Sequence, residues 1–245
     1  MTIIKPVPFK IPSAIITGVD SVKENLLDQV KGFGGRKVLI VSDPVLVKAG
    51  YVDELKSFLN DIETEVYTNI EPEPSIENME ETLSWCGGQA FDVFIGLGGG
   101  SVIDSTKMLA ALLAHEGQVR DYVGGPKIFE KFGAPTIMIP TTSGTGAEVT
   151  VNVVFKDKSA KLKRVAVSQY LMPNVAIVDP LYTMTVPPSV TAATGMDALT
   201  HAFEAYVGNS NTPRTRKNAL AAARLVEENR VNVCHDGGDL AARQS

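Results

Sequence analysis

Three short apolar runs, KVLIVS at 37–42, FDVFIG at 91–96 and TIMI at 136–139, lack the polar–apolar alternation of a half-exposed strand. Such runs belong to strands covered on both faces, which occur in parallel sheets flanked by helices. Helical stretches fall between them, at 21–30, 53–61, 76–86 and 103–114. Further strands are expected at 13–17, 65–68, 151–155 and 175–178, with a lysine-containing loop between the last two. The alternation predicts an α/β fold whose N-terminal part is a doubly wound, dinucleotide-binding type of parallel sheet. Beyond Pro187-Pro188 the strand signals stop and helical periodicity takes over. Thr212-Pro213 has the form of an N-cap followed by proline at the first helical position. Leu220, Ala223 and Val226 are expected to form the buried face of the helix that follows. The division falls near 187, giving an α/β domain over 1–187 and the start of an all-helical domain over 188–245. Roughly 58 residues of helix are few for a second core. The final stretch, HDGGDLAARQS, ends as another helix begins, so the helical domain is expected to be incomplete.

Among 245 residues, 44% are hydrophobic and 21% charged, enough apolar material for a sizeable core. Lysine and arginine number 23 against 28 acidic residues, and the net charge of −5 argues against nucleic acid or an anionic membrane as the main partner. The densest basic run, 156–164, is interrupted by Asp157, Ser159 and Ala160 and is expected to be a solvated loop. No apolar run approaches the roughly 18 residues of a membrane helix. The N-terminal stretch, broken by Pro6, Pro8 and Pro12, lacks a secretory pattern. Cys86 and Cys234 lie far apart and outside any C-x-x-C pair. A cytoplasmic protein with reduced thiols is expected.

Four segments carry chemistry. Gly96-Leu97-Gly98-Gly99-Gly100-Ser101 follows a buried strand and opens a helix. Bare backbone there lets a phosphate approach the helix amides at the positive end of the dipole. The spacing departs from G-x-G-x-x-G, since Ser101 stands at the third glycine, and a tight turn without ligand has the same appearance. Asp104 falls in the expected first turn of that helix, where it can also compensate the dipole. Asp43, ending the run KVLIVS, can bond a ribose diol and repel a 2′-phosphate, or cap a helix at Pro44. Pro140-Thr141-Thr142-Ser143-Gly144-Thr145-Gly146-Ala147-Glu148 offers hydroxyl donors at the carboxyl edge of the sheet. Thr145 and Glu148 also have capping-box spacing. Asp197 and His201, four residues apart on a helix, present carboxylate and imidazole on one face, as metal ligands or as an ion pair.

In this order, GGGSVIDSTK, PTTSGTGAEVT, the stretch ending VAIVDP before Leu181, and TGMDALTHAFEAY resemble the iron-containing (group III) alcohol dehydrogenase family over nearly the whole chain. The resemblance implies an NAD-dependent enzyme passing hydride between a primary alcohol or aldehyde and NAD, with its site between the two domains. It implies that Gly99, Gly100 and Ser101 bind the diphosphate, that Asp104 lines the nicotinamide end, and that Thr141, Thr142 and Thr145 contact the cofactor. Asp43 matches the position favouring NAD over NADP, and Lys163 the lysine near the nicotinamide ribose. Asp197 and His201 match the first two ligands of an Fe(II) ion, with Zn(II) also compatible. The family draws two further histidines from downstream helices, whereas only His115 and His235 remain here, and both are expected to be surface residues. A homo-oligomer with a small-molecule alcohol or aldehyde substrate is implied. A polyol dehydrogenase, a non-catalytic nucleotide-binding remnant and an interaction subunit completed by another chain are the alternatives.

Overall fold

The computed structural model describes residues 9–209 and 211–244, so Pro6 and Pro8 lie outside the described residues. Six parallel strands form the main sheet: β1 (Ala14–Thr17), β2 (Lys37–Val41), β3 (Glu63–Tyr67), β4 (Val93–Gly98), β5 (Thr136–Pro140) and β8 (Val175–Val178), in the order β1-β8-β5-β4-β2-β3. The side chains of KVLIVS and FDVFIG alternate between two separate cores, while Met138 of TIMI packs with Ile103 and Ala147 in a third, small cluster. Leu39, Val41 and Phe94 pack on one face with α4 (Ile76–Cys86), α5 (Gly100–Leu112) and α6 (Val119–Tyr122). Val38, Ile40, Ile95, Leu97, Ile137 and Ile139 pack on the other with α1 (Ser21–Gly32), α2 (Pro44–Lys48) and α3 (Tyr51–Phe58). Burial on both faces is why these strands carry no alternation in sequence.

Chain order reverses between β2 and β4: β3 lies beyond β2, while β5, β8 and β1 extend the opposite way. Open α/β sheets bind ligands beyond the carboxyl ends of the strands at such a switch point, where the connections diverge and leave a crevice. Asp43 lies two residues past the end of β2, Gly99 follows β4 directly, and Thr141 follows β5 directly.

The stretch expected to hold one strand and a solvated lysine loop is instead an antiparallel hairpin, β6 (Asn152–Asp157) and β7 (Leu162–Val167), outside the main sheet. Val153 and Phe155 are fully buried, while Lys156 is exposed between Phe155 and Asp157. The buried Asp157 side chain accepts from Ser159 Oγ (2.6 Å), Ala160 N–H (3.0 Å) and Arg164 Nε (2.8 Å), and so organises the turn. Those donors hold its carboxyl well below the usual carboxylate range.

After a 3-10 turn at Pro180–Thr183 come α7 (Pro188–Val207), α8 (Pro213–His235) and α9 (Leu240–Gln244). Thr212 caps α8 as expected, its Oγ1 accepting from Thr215 N–H at 3.1 Å. The expected buried face of α8 is shifted: Ala219 and Val233 are buried and Val226 is half-buried, while Leu220 is 63% exposed. Arg230 of α8 lies against α7, its Nη1 2.8 Å from Met196 Sδ. His115 is not a free surface side chain: its Nδ1–H donates to Ala111 O (2.8 Å) and its Nε2 accepts from Glu130 N–H (3.1 Å). His235, the last residue of α8, is exposed.

Candidate active-site cleft

A cleft of about 670 Å³ opens at the switch point. Asp43, Gly99, Gly100, Ser101, Asp104, Thr141, Thr142, Thr145, Lys163, Asp197 and His201 all line it, although they come from both halves of the sequence.

The floor is the start of α5. Gly99 at its N-cap has no side-chain cap bond, so the first amides are not capped by their own side chain. A Cβ on residue 100 would lie 2.9 Å from Thr145 Cγ2 and 3.0 Å from its Oγ1, tighter than side chains pack. Only glycine lets the loop after β5 come this close. That loop is joined to the floor by Thr141 N–H, which donates to Gly98 O at 3.0 Å. Its other side meets α7, because a Cβ on Gly144 would lie 2.7 Å from Thr194 Cβ. One loop therefore spaces the glycine turn from the helix that carries Asp197 and His201. No capping box forms there: Gly146 in the left-handed region precedes the 3-10 turn Ala147–Val149, and Thr145 Oγ1 accepts only from Ala147 N–H, at 3.3 Å. Burial pushes the Glu148 carboxyl above its ordinary value.

Asp43 performs the expected cap: its Oδ1 accepts from Val45 N–H (2.8 Å) and Leu46 N–H (3.0 Å). Both bonds use Oδ1, so Oδ2 is not committed to the cap. Asp104 does not compensate a helix dipole, because α5 begins at Gly100 and Asp104 lies past its first turn. Its Oδ1 is 2.9 Å from Lys107 Nζ, and its Oδ2 accepts from Val154 N–H at 2.9 Å, tying α5 to the hairpin. Burial pushes the Asp104 carboxyl up against the pull of that ammonium. Lys107, buried beneath the cleft, escaped sequence reasoning, although its i,i+3 spacing from Asp104 was a usable signal. Lys163 lies on a strand instead of in a loop, and its Nζ is 2.6 Å from Glu73 Oε1. Glu73, in the loop that Pro72 and Pro74 mark in the sequence, also went unread as a site residue.

Asp197 Oδ2 and His201 Nε2 stand 3.7 Å apart, beyond hydrogen-bond distance, and both are solvent-accessible at the cleft. A carboxylate oxygen beside an imidazole nitrogen suits two positions around Fe(II) or Zn(II). No third His, Cys, Asp or Glu joins them among the described residues.

A doubly wound parallel sheet, a glycine turn at its switch point and an acid–imidazole pair on the adjoining helix define a nucleotide-cleft α/β protein with a helical extension. The family model described as iron-containing alcohol dehydrogenase matches residues 12–180, and that for the C-terminal part of the Fe-containing alcohol dehydrogenase family matches residues 191–245. The chain belongs to the iron-containing alcohol dehydrogenase family. It is 44% identical over 224 residues to long-chain-alcohol dehydrogenase 1 of Geobacillus thermodenitrificans, covering 90% of this chain and 56% of that protein. It is 34% identical over 239 residues to the NAD-dependent methanol dehydrogenase of Bacillus methanolicus, covering 97% of this chain and 62% of that one. Among solved structures, a sulfoacetaldehyde reductase from Bifidobacterium kashiwanohense in complex with NAD+ superposes with a TM-score of 0.92 at 28% identity, covering 98% of this chain and 64% of that one. The chain thus spans 56–62% of the length of these two curated relatives.

Proposed function

We propose that this chain carries the cofactor half and the first metal ligands of an NAD-dependent alcohol dehydrogenase that moves hydride between a primary alcohol or aldehyde and NAD. The observation that carries the reading is the convergence of Asp43, Gly99–Ser101, Asp104, the three threonines, Lys163, Asp197 and His201 on one cleft. The amides opening α5 would receive the diphosphate, and Oδ2 of Asp43 a ribose diol. Asp104, held by Lys107 and Val154, would line the nicotinamide end beside Thr141, Thr142 and Thr145, with Lys163 at the nicotinamide ribose. Asp197 and His201 would hold the metal as two of its ligands. Bound there, NAD supplies the hydride acceptor, and a divalent metal supplies the Lewis acid that polarises the alcohol oxygen. No side chain is assigned as proton carrier.

The domain division at 187 belongs to the same proposal: it is supported by Pro187-Pro188, after which the described residues hold helices and no strand. A cytoplasmic setting is supported by the two unpaired cysteines, and no helix among the described residues is long and apolar enough to cross a membrane. Association into a homo-oligomer is supported by exposed Phe203, Leu220 and Val231 on α7 and α8. Light scattering that finds only monomer at high concentration would remove that part of the proposal.

The test is metal content after anaerobic loading with Fe(II), beside an NADH titration. About one tightly held ion per chain, lost in Asp197→Ala, is the expected result. A second reading, a nucleotide-binding chain without a catalytic metal, is favoured by the absence of a third donor among the described residues. NADH binding with no retained metal would establish it.

A further inference from the structure

The segment 71–74, Glu71-Pro72-Glu73-Pro74, lies in the connection from β3 to α4 and lines the cleft. It is fastened at several points. Lys156 N–H donates to Pro74 O at 2.9 Å, and Lys158 Nζ reaches Glu71 Oε1 at 3.2 Å. Glu73 N–H donates to Ser101 Oγ at 3.2 Å, and the Glu73 carboxylate takes Lys163 Nζ at 2.6 Å. Glu73 is also one of three described non-glycine residues with positive φ, at 53°, a conformation that L-residues with a Cβ adopt at a cost. That cost is borne where the residue bridges Ser101 and Lys163, the side chains assigned above to the diphosphate and to the nicotinamide ribose.

We infer that Glu73 is a latch on the nucleotide cleft: its carboxylate holds the Lys163 ammonium, and an anionic dinucleotide must displace it to gain that ammonium. The inference rests on the proposed cofactor role of Lys163. Charge around the cleft adds to it: the carboxylates of Asp43, Glu71, Glu73, Asp104 and Asp197 line it beside the ammonium groups of Lys156 and Lys163, while Lys158 and Lys107 pair with Glu71 and Asp104 from outside the lining. Glu73 therefore opposes the anionic dinucleotide twice, by its own charge and by holding the lysine assigned to the nicotinamide ribose. Lys163 and Glu73 are each about 60% exposed, so the latch is screened by water and its effect is modest.

The experiment is the dissociation constant of NADH, read by fluorescence, for the wild type and for Glu73→Gln, Glu71→Gln, Lys163→Met and the Glu73→Gln/Lys163→Met double variant. Glu73→Gln keeps the shape and removes the charge, and should tighten NADH about two- to fivefold, the range of one exposed ion pair. Glu71→Gln removes the same charge without freeing Lys163 and should give a smaller gain. In the Lys163→Met background the Glu73→Gln gain should vanish, since the cycle isolates the pairwise part. Unchanged or weaker binding in Glu73→Gln overturns the latch, as does an equal gain in Glu71→Gln or a gain that survives without Lys163. If the wild type binds no NADH, the cofactor assignment falls and the latch with it, an outcome distinct from the others.

Discussion

Lys107 Nζ stands 2.9 Å from Asp104 Oδ1 and donates as well to the carbonyl oxygens of Ala147 (2.9 Å) and Asn152 (2.7 Å). One buried ammonium thus joins α5, the loop after β5 and the hairpin. Burial lowers its pKa from the ordinary lysine value, opposed by the Asp104 carboxylate. Removing the ammonium strands a buried carboxylate and two carbonyls, which typically costs about 3–5 kcal/mol. Lys107→Met should therefore unfold at clearly lower urea concentration, and Lys107→Met/Asp104→Leu should recover part of the loss. A Lys107→Met midpoint equal to wild type would show that the three elements hold together without this contact.

Gly100→Ala places a methyl against Thr145 while leaving a good helix former at the first position of α5. Thermal stability should fall by about 1–3 kcal/mol, the usual cost of overpacking, partly offset by alanine's helix propensity. NADH binding should weaken by about tenfold or more, because the loop must move away from the floor to admit the methyl. Calorimetry and fluorescence titration on the same preparation separate the two effects.

Asp43→Asn retains a side-chain oxygen that caps α2 as well as aspartate does, and removes the charge. The ratio of NADPH to NADH affinity should rise about fivefold, the size of one near-surface charge interaction. A ratio that does not move leaves Asp43 with its cap alone.

The Cys86 thiol is fully buried, and burial pushes it up to about 11, with the Glu65 charge adding to the shift. Its ordinary value is 9.0, so the folded chain keeps the proton that the unfolded chain releases first. Stability should accordingly fall as pH rises from about 9 toward 11, and the fall should flatten in Cys86→Ala. Ellman's reagent at pH 8 should titrate Cys234 quickly and Cys86 only on unfolding. Fast reaction of both thiols in the native protein would contradict the burial argument.

How far the sequence could be read depended on whether a signal was local. KVLIVS, FDVFIG and TIMI announced doubly covered parallel strands by themselves, because burial on both faces demands apolar residues at every position. The glycine turn, the threonine loop and the Asp197/His201 spacing were legible for the same reason: a backbone approach or a shared helix face is set by neighbours in the chain. Only the first strand of the hairpin was legible: exposed Leu162, Val165 and Val167 in β7 and the inward Asp157 hide the period of two, and the pairing had to be found in space. The buried face of α8 was not legible, because tertiary packing buries Ala219 and Val233 and leaves Leu220 exposed.

By itself, then, the sequence determined the elements and the chemical kind of each motif, since propensity, apolar runs and glycine positions act over a few residues. Tertiary structure alone decided the strand order that puts Asp43, Gly99 and Thr141 at one switch point, and the pairing of Glu73 with Lys163 across 90 residues. Those relationships come from how loops close and layers stack, and no local preference encodes them.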